Sequence, residues 1–253
     1  MSTTIWQPLL AELDRWSAEG RRIRLWLRDD DAIAPSPQLD TLIGLSERFA
    51  LPVLLAVIPL SAEPALAERL RDAPLLRPSQ HGAAHHNHAP APAKKSEFGL
   101  HRPVDDILAE VEAARRRLDA LFGPALLPVF VPPWNRIDPA IAARLPALGF
   151  TGLSCFRGFT LGPEGGPALA NTDIDIMDWH RGRVGRQAAA LAEEARILLE
   201  QRRLSRSRDD GLGLLLHHRD HDATAWTFLD GFLGAIAPHP AVVFTDPRIL
   251  FEP

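Results

Sequence analysis

Short apolar runs alternate with longer amphipathic segments along the chain, and this alternation restricts the possible folds more than any other feature. The apolar runs have the length and content of strands buried on both faces of a parallel sheet. They lie at 23–27, 53–58, 75–76 and just beyond, 127–131, 151–154, 174–177, 212–216 and 241–244. The intervening segments have the period of helices with one buried face, at 38–49, 62–71, 104–122, 139–148, 187–204 and 224–237.

Strand and helix patterns alternate without a change in composition, which favours a single α/β domain over residues 1–253. Seven or eight strand patterns favour a barrel over an open sheet. Hydrophobic residues make up 46% of the chain and charged residues 24%, as in an ordinary globular protein.

Composition also excludes several classes of partner and compartment. The net charge is -4 and the basic residues are scattered, so we expect no nucleic-acid partner. The most apolar run, 51–60, is too short to span a bilayer, and 1–20 lacks the pattern of a signal peptide. One cysteine, Cys155, rules out an internal disulfide and fits a reducing compartment. We therefore expect a soluble, cytoplasmic protein without a membrane partner.

Chemically reactive residues follow five of the predicted strands. In an α/β barrel the carboxyl ends of the strands meet on one face, where active sites are built. The five clusters are 29–31, 81–88, 132–135, 178–180 and 217–218. Their common position predicts one site at the mouth of the barrel.

Four of the ten histidines lie between residues 81 and 88. His81 and His85 flank a glycine and two alanines, so their rings can converge on a divalent metal if a third ligand comes from elsewhere. A surface loop rich in histidine is the alternative interpretation. The segment 85–102 has no helix or strand period and predicts a long functional or mobile loop.

Three aspartates, Asp29 to Asp31, follow the first strand. One carboxylate would bind the metal and a neighbour would serve as a general base, with Arg28 orienting it. A helix cap or an exposed turn is the alternative.

His217 and His218 end a buried strand, where one of them could act as a general acid, tuned by Asp220 or Asp222. A structural, hydrogen-bonded histidine is the alternative. Trp134 could stack on a sugar ring, or could belong to the core.

Together these clusters resemble the polysaccharide deacetylase family, carbohydrate esterase family four, over most of the chain. The resemblance implies a distorted (β/α) barrel, here with about seven parallel strands. The family's first motif is a base Asp followed by a ligand Asp. Leu25 and Leu27 alternate in step with Asp31, so we assign Asp31 as ligand and Asp30 as base; Asp29 as base with Asp30 as ligand stays open.

The other motifs also occur in the family's order. His81-Gly-Ala-Ala-His85 matches the family's two metal-binding histidines, and His86 and His88 have no counterpart in that motif.

The third motif of the family, Arg-x-Pro-aromatic, corresponds to Val131-Pro132-Pro133-Trp134 here. This segment lacks the arginine that holds the base in the family, unless Arg28 or Arg136 replaces it. The fourth, an Asp-Trp pair supporting the acid, resembles Asp178-Trp179, and the fifth, Leu-x-x-His, resembles 214–217.

The resemblance implies a metal-dependent hydrolase that removes an N-acetyl or other acyl group from an amide on a sugar or polysaccharide. Zn²⁺ would be held by Asp31, His81 and His85. Asp30 would be the base, His217 the acid and the Trp134 N–H an oxyanion donor. Pro133, Trp134, Asn135 and Asp178 are the predicted substrate contacts.

Three alternatives remain. The substrate could be a small intracellular or cyclic amide, because no export signal is visible. The protein could bind a metal or ligand without catalysis, because the arginine of the third motif is missing. Two histidines and a carboxylate could also hold iron in an oxygenase, although a separate acid histidine favours hydrolysis.

Overall fold

The computed structural model describes residues 3–207 and 209–252. Its strands are β1 (Ile23–Ala32), β2 (Val53–Val57), β3 (Leu76–His81), β4 (Val129–Val131), β5 (Gly152–Leu153), β6 (Ala168–Leu169), β7 (Ile174–Asp175), β8 (Met177–Asp178), β9 (Val184–Gly185), β10 (Gly211–Leu216) and β11 (Val242–Phe244). Its α-helices are α1 (Gln7–Ala18), α2 (Pro37–Phe49), α3 (Pro64–Arg71), α4 (Val104–Phe122), α5 (Pro139–Ala142), α6 (Ala188–Leu204), α7 (Ala223–Ile236) and α8 (Pro247–Leu250).

The main sheet is entirely parallel and runs in the order β6-β5-β4-β3-β2-β1-β10-β7, with β11 also paired to β1. Only residues 170–173 separate the edge strands β6 and β7, so the two edges lie close and the sheet curls into an incomplete barrel. The predicted distorted (β/α) barrel is therefore confirmed. It has eight strands along this path where the sequence predicted about seven.

The side chains of β1 alternate between two apolar layers, and this alternation positions the site. Leu25 and Leu27 pack outward into the large core shared with the surrounding helices. Trp26 packs inside the barrel against Leu54 and Phe251. Because successive strand residues point to opposite faces, the next inward positions after Trp26 are Arg28 and Asp30.

Several elements differ from the sequence expectations, and β6, β9 and α8 were not predicted. No element was predicted before β1, yet α1 buries Trp16, whose indole Nε1 donates to the Leu199 carbonyl at 3.2 Å. The predicted strand 174–177 splits into β7 and β8, and β8 forms an antiparallel hairpin with β9. The predicted helix 139–148 stops at Ala142, because Pro146 lacks the N–H that a continuing helix needs.

No helix within the described residues has both the length and the apolar character needed to cross a membrane.

Candidate functional site

The carboxyl ends of β1, β3 and β10 bring the predicted site residues together at the mouth of the barrel. Asp31 is the second-to-last residue of β1, His81 ends β3 and His217 follows β10. His85 lies in the loop after His81, and Trp134 lies in the turn after β4. The parallel sheet therefore collects residues that are up to 186 positions apart in the chain.

Asp31, His81 and His85 form a cluster in which one ligand atom of each lies within 4.8 Å of the others. The Nε2 atoms of His81 and His85 lie 3.1 and 3.3 Å from the same oxygen, Asp31 Oδ1. The Val131 carbonyl fixes the orientation of the His81 ring, because its oxygen lies 3.0 Å from His81 Nδ1. This contact leaves Nε2 directed at the cluster. Two imidazoles and one carboxylate converging in this way fit a divalent transition metal.

Neighbouring charges and burial shift the pKa values of all three cluster residues. Burial raises the pKa of Asp31, but the hydrogen bond from His81 and the charges of the nearby histidines outweigh burial and hold this pKa well below its ordinary value. Burial lowers the pKa of His85. Burial lowers the pKa of His81, but the charges of Asp30 and Asp31 and the hydrogen bond to Asp31 outweigh burial and raise this pKa. A metal ion bound here would therefore replace a proton on His81.

A bulge at the end of β1 turns Asp31 into the site. Strand parity with Leu25 and Leu27, the basis for choosing Asp31, would point its side chain outward toward the helices. Asp31 instead has φ 70°, and the pairing of β1 with β2 shifts register between Asp29 and Ala32. The bulge lets the adjacent Asp30 and Asp31 both reach the mouth of the barrel.

Asp30 is held by an arginine of its own strand. Arg28 Nη2 donates to Asp30 Oδ2 at 3.0 Å, and Nε lies 2.9 Å from Oδ1. The guanidinium is fully buried and also donates to the side chains of Ser154 and Asn135, at 2.9 and 2.5 Å. Arg136 points elsewhere and donates to the Lys95 carbonyl. Of the two arginines considered from sequence, Arg28 is therefore the one that binds Asp30.

The two adjacent histidines after β10 face different ways. His218 is completely buried, donates its backbone N–H to Asp29 Oδ2 at 2.8 Å, and contacts Asp29 Oδ1 through Nδ1. His217 lies at the mouth, with its ring edge-on to Trp179 at a centroid distance of 4.5 Å. Asp29 and His218 thus pair with each other, and not with Asp30 or His217.

The carboxylate that supports Trp179 is Asp175. Trp179 Nε1 donates to Asp175 Oδ2 at 2.7 Å, and burial raises the pKa of Asp175 although the charge of His217 opposes this. Asp178 instead accepts the backbone N–H groups of His180 and Arg181. The sequence pattern missed Asp175, although it lies within the predicted strand 174–177, three residues before Asp178.

A cleft of about 430 Å³ opens beside these residues. Three of the predicted substrate contacts, Trp134, Asn135 and Asp178, line it together with Trp179 and other residues.

The fourth predicted contact, Pro133, does not line the cleft. It is buried in the turn after β4, and its ring packs against Gly82 so closely that a Cβ there would lie 2.6 Å from it. Trp134 itself has a left-handed φ of 55° in the turn after β4.

The extra histidines lie apart from the cluster. His86 and His88 contact each other at a ring distance of 4.9 Å in the loop that follows His85. Within the described residues, the one group of three or more possible ligands is Asp31, His81 and His85.

No protein-family model matches this sequence, and no curated protein is significantly similar to it. Several solved structures share its fold. A family 4 carbohydrate esterase from Streptomyces lividans, in complex with acetate, has a TM-score of 0.55 and 15% identity over 87% of this chain and 90% of the esterase. A peptidoglycan N-acetylglucosamine deacetylase has a TM-score of 0.59 and 14% identity over 90% and 87%.

A mutant of a family 4 pseudoenzyme with restored enzymatic activity is also similar, with a TM-score of 0.60 and 14% identity over 91% of this chain and 68% of that one. Identities this low show the fold alone. At that level the resemblance carried by the motifs is confirmed: the chain has the polysaccharide deacetylase fold of the family 4 carbohydrate esterases.

Proposed function

We propose that the protein is a metal-dependent hydrolase that removes an N-acetyl or other acyl group from an amide on a sugar or polysaccharide. One observation carries the proposal: the Asp31, His81 and His85 cluster lies at the same barrel mouth as the arginine-bound carboxylate of Asp30 and the imidazole of His217. Zn²⁺ fits two imidazoles and a carboxylate and is the metal we propose.

A bound divalent metal would supply Lewis acidity and lower the pKa of a water molecule. Asp30, oriented by Arg28, would accept a proton from that water. The Trp134 N–H would donate to the oxygen that gains negative charge at the acyl carbon. His217, steadied by the ring of Trp179, would protonate the leaving nitrogen.

Replacing the base tests this assignment. Asp30→Asn should lower kcat toward a panel of acetylated sugars and simple amides by about 10²- to 10⁴-fold while the bound metal is retained, because general-base catalysis contributes on that scale. The measurement is steady-state hydrolysis together with metal content. If metal-loaded wild type hydrolyses none of the panel, the enzyme assignment is wrong.

A non-catalytic binding protein is the second candidate, because a mutant of a family 4 pseudoenzyme shares this fold. The pairing of Arg28 with Asp30 favours the enzyme, since the carboxylate keeps an arginine partner although the third motif lacks one. Hydrolysis by wild type and its loss in Asp30→Asn separate the two.

The volume of the cleft bears on the size of the substrate. About 430 Å³ is enough for a small ligand or for one or two sugar rings. A small acylated amide is therefore the alternative to a polymer, and the same panel distinguishes them when it contains both monomeric and oligomeric substrates.

A further inference from the structure

We infer that Glu97 is a positioning residue for the metal site, and that its carboxylate fixes the turn that carries His85. This inference rests on the proposed metal site. Glu97 lies in the loop between β3 and α4 and is only 1% exposed. Neither the motifs nor the proposed mechanism uses it.

The Glu97 carboxylate binds the backbone between the two histidine ligands. Its Oε1 accepts the Ala84 N–H at 2.8 Å, and its Oε2 accepts the Ala83 N–H at 3.3 Å. Both N–H groups belong to the segment that separates His81 from His85. An ionised carboxylate accepting two N–H groups makes stronger hydrogen bonds than a neutral acceptor does.

The turn needs these hydrogen bonds because it contains a residue in the left-handed backbone conformation. His85 has φ 58°, a left-handed conformation that a residue with a side chain rarely adopts without support. His81, by contrast, is held at the end of a strand and by the Val131 carbonyl. The position of His85 therefore depends on the turn, and the turn depends on Glu97.

Contacts on both sides hold Glu97 in place. Before it, Ser96 donates its N–H to Asn87 Oδ1 at 2.9 Å and accepts the His88 N–H through its carbonyl, also at 2.9 Å. After it, Phe98 is fully buried against Phe130, and its carbonyl accepts the Asp138 N–H at 2.8 Å. Phe98 thus ties the glutamate to the barrel core and to the segment before α5, and Ser96 ties it to the loop that follows His85.

Gly82 leaves the space that this arrangement requires. A Cβ at Gly82 would overlap Glu97 Oε2 and would come within 2.6 Å of the Pro133 ring. The close approach of the carboxylate to the turn therefore needs a glycine at position 82.

The test is metal affinity, measured as Co²⁺ binding by absorption and as Zn²⁺ binding by competition with a chelator. Glu97→Gln should raise the dissociation constant about 10- to 100-fold, the usual cost of losing a residue that supports a metal ligand. The amide keeps the size of the side chain but presents an NH₂ group to one of the two N–H donors. Glu112→Gln is the matched control, since Glu112 is half exposed and pairs with Arg116 on α4, and its dissociation constant should equal that of wild type.

Glu97→Asp separates positioning from charge. The aspartate keeps the negative charge but is one methylene shorter, so it should also bind metal about tenfold or more weakly if hydrogen bonding to the turn is what matters. Full affinity in Glu97→Asp would show that the charge alone acts and would overturn the inference, as would full affinity in Glu97→Gln. Circular dichroism and unfolding of the metal-free variants complete the test. If both variants fail to fold, Glu97 supports the whole fold and the inference is wrong.

Wild-type behaviour distinguishes this inference from the proposed function. If wild type binds neither Co²⁺ nor Zn²⁺, the metal site and the proposed function are wrong together with this inference. If wild type binds metal and Glu97→Gln binds it equally well, only the role of Glu97 is wrong.

Discussion

At the scale of single residues, the buried Arg28 binds several acceptors at once. Its guanidinium binds Asp30, Asn135, Ser154 and the Cys155 carbonyl, with Nη1 donating to that carbonyl at 3.0 Å. The planar fork of arginine suits several acceptors at once, which a lysine ammonium on its flexible stem does not.

Arg28→Lys should lower the free energy of unfolding by about 1–3 kcal/mol, because buried acceptors lose their donors. It should also lower kcat, because Asp30 loses its orientation. Urea unfolding and steady-state kinetics measure the two effects. Arg24→Lys is the control on the same strand: Arg24 pairs with Asp210 at the surface, so its replacement should change stability by less than about 0.5 kcal/mol. Equal stability of Arg28→Lys and wild type would contradict the prediction.

His221 makes the stability of the protein depend on pH. Burial lowers the pKa of His221 to about 4, and its Nε2 accepts the His217 N–H at 3.2 Å. In the unfolded chain a histidine has a pKa of about 6.5. Between these two values the unfolded state binds a proton that the folded state does not, so stability falls as the pH is lowered from about 6.5 toward 4.

His221→Gln should remove this dependence, because glutamine can accept the same hydrogen bond and does not titrate. From pH 7.5 to pH 5, wild type should lose on the order of 1–2 kcal/mol more of its unfolding free energy than the variant. Urea unfolding at the two pH values measures the difference. An equal loss in both proteins would show that His221 does not carry this effect.

At the scale of elements, the loops at the barrel mouth depend on local hydrogen bonds at the ends of helices and strands. Asp222, which the sequence suggested as a group that tunes the acid, caps helix α7: its Oδ1 accepts the Ala225 N–H at 2.9 Å. The same oxygen accepts the Gly185 N–H at 3.1 Å, which ties the β8–β9 hairpin to the helix. This hairpin carries Trp179, so the cap also supports one wall of the cleft.

Asp222→Ala should lower the free energy of unfolding by about 1–2 kcal/mol, since a helix cap and a second hydrogen bond are lost. Asp222→Asn is the matched control, because its side-chain oxygen can accept both N–H groups and should keep nearly all of the stability. Chemical unfolding measures both variants. If Asp222→Asn were as unstable as Asp222→Ala, the charge rather than the cap would be the cause.

At the scale of the whole molecule, the proposed metal site links the end of β1 to the end of β3 and the loop that follows it. Asp31 belongs to β1, His81 to β3 and His85 to the loop beyond it. A ligand that binds only the folded state, and not the unfolded state, stabilises the protein by about 2.7 kcal/mol when its concentration is one hundred times its dissociation constant.

Zn²⁺ at that concentration should therefore raise the Tm of the metal-free protein by about 5–10 °C for a chain of this size. Asp31→Asn should abolish most of the shift, because the amide is a poor ligand. Asp178→Asn, which changes a carboxylate of the same cleft outside the cluster, should keep the shift. Differential scanning calorimetry with and without metal makes the measurement, and the absence of any shift in wild type would contradict a metal site.

Part of this protein could be predicted from its sequence because strand and helix periods are local. The alternation of apolar runs predicted the barrel, and the position of reactive residues after those runs predicted a site at its mouth. The spacing of His81 and His85 predicted two converging ligands. Each of these inferences depends on neighbours in the chain and on the rule that parallel strands end at one face.

The tertiary structure decided the rest, because it depends on single dihedral angles and on contacts between distant segments. Strand parity could not show that a left-handed φ at Asp31 breaks the alternation, or that Asp29 turns away to pair with His218. The role of Arg28 follows from its packing against the loops after β4 and β5. Glu97 has no pattern of its own in the sequence, and only the folded loop brings its carboxylate beneath the turn between the two histidines.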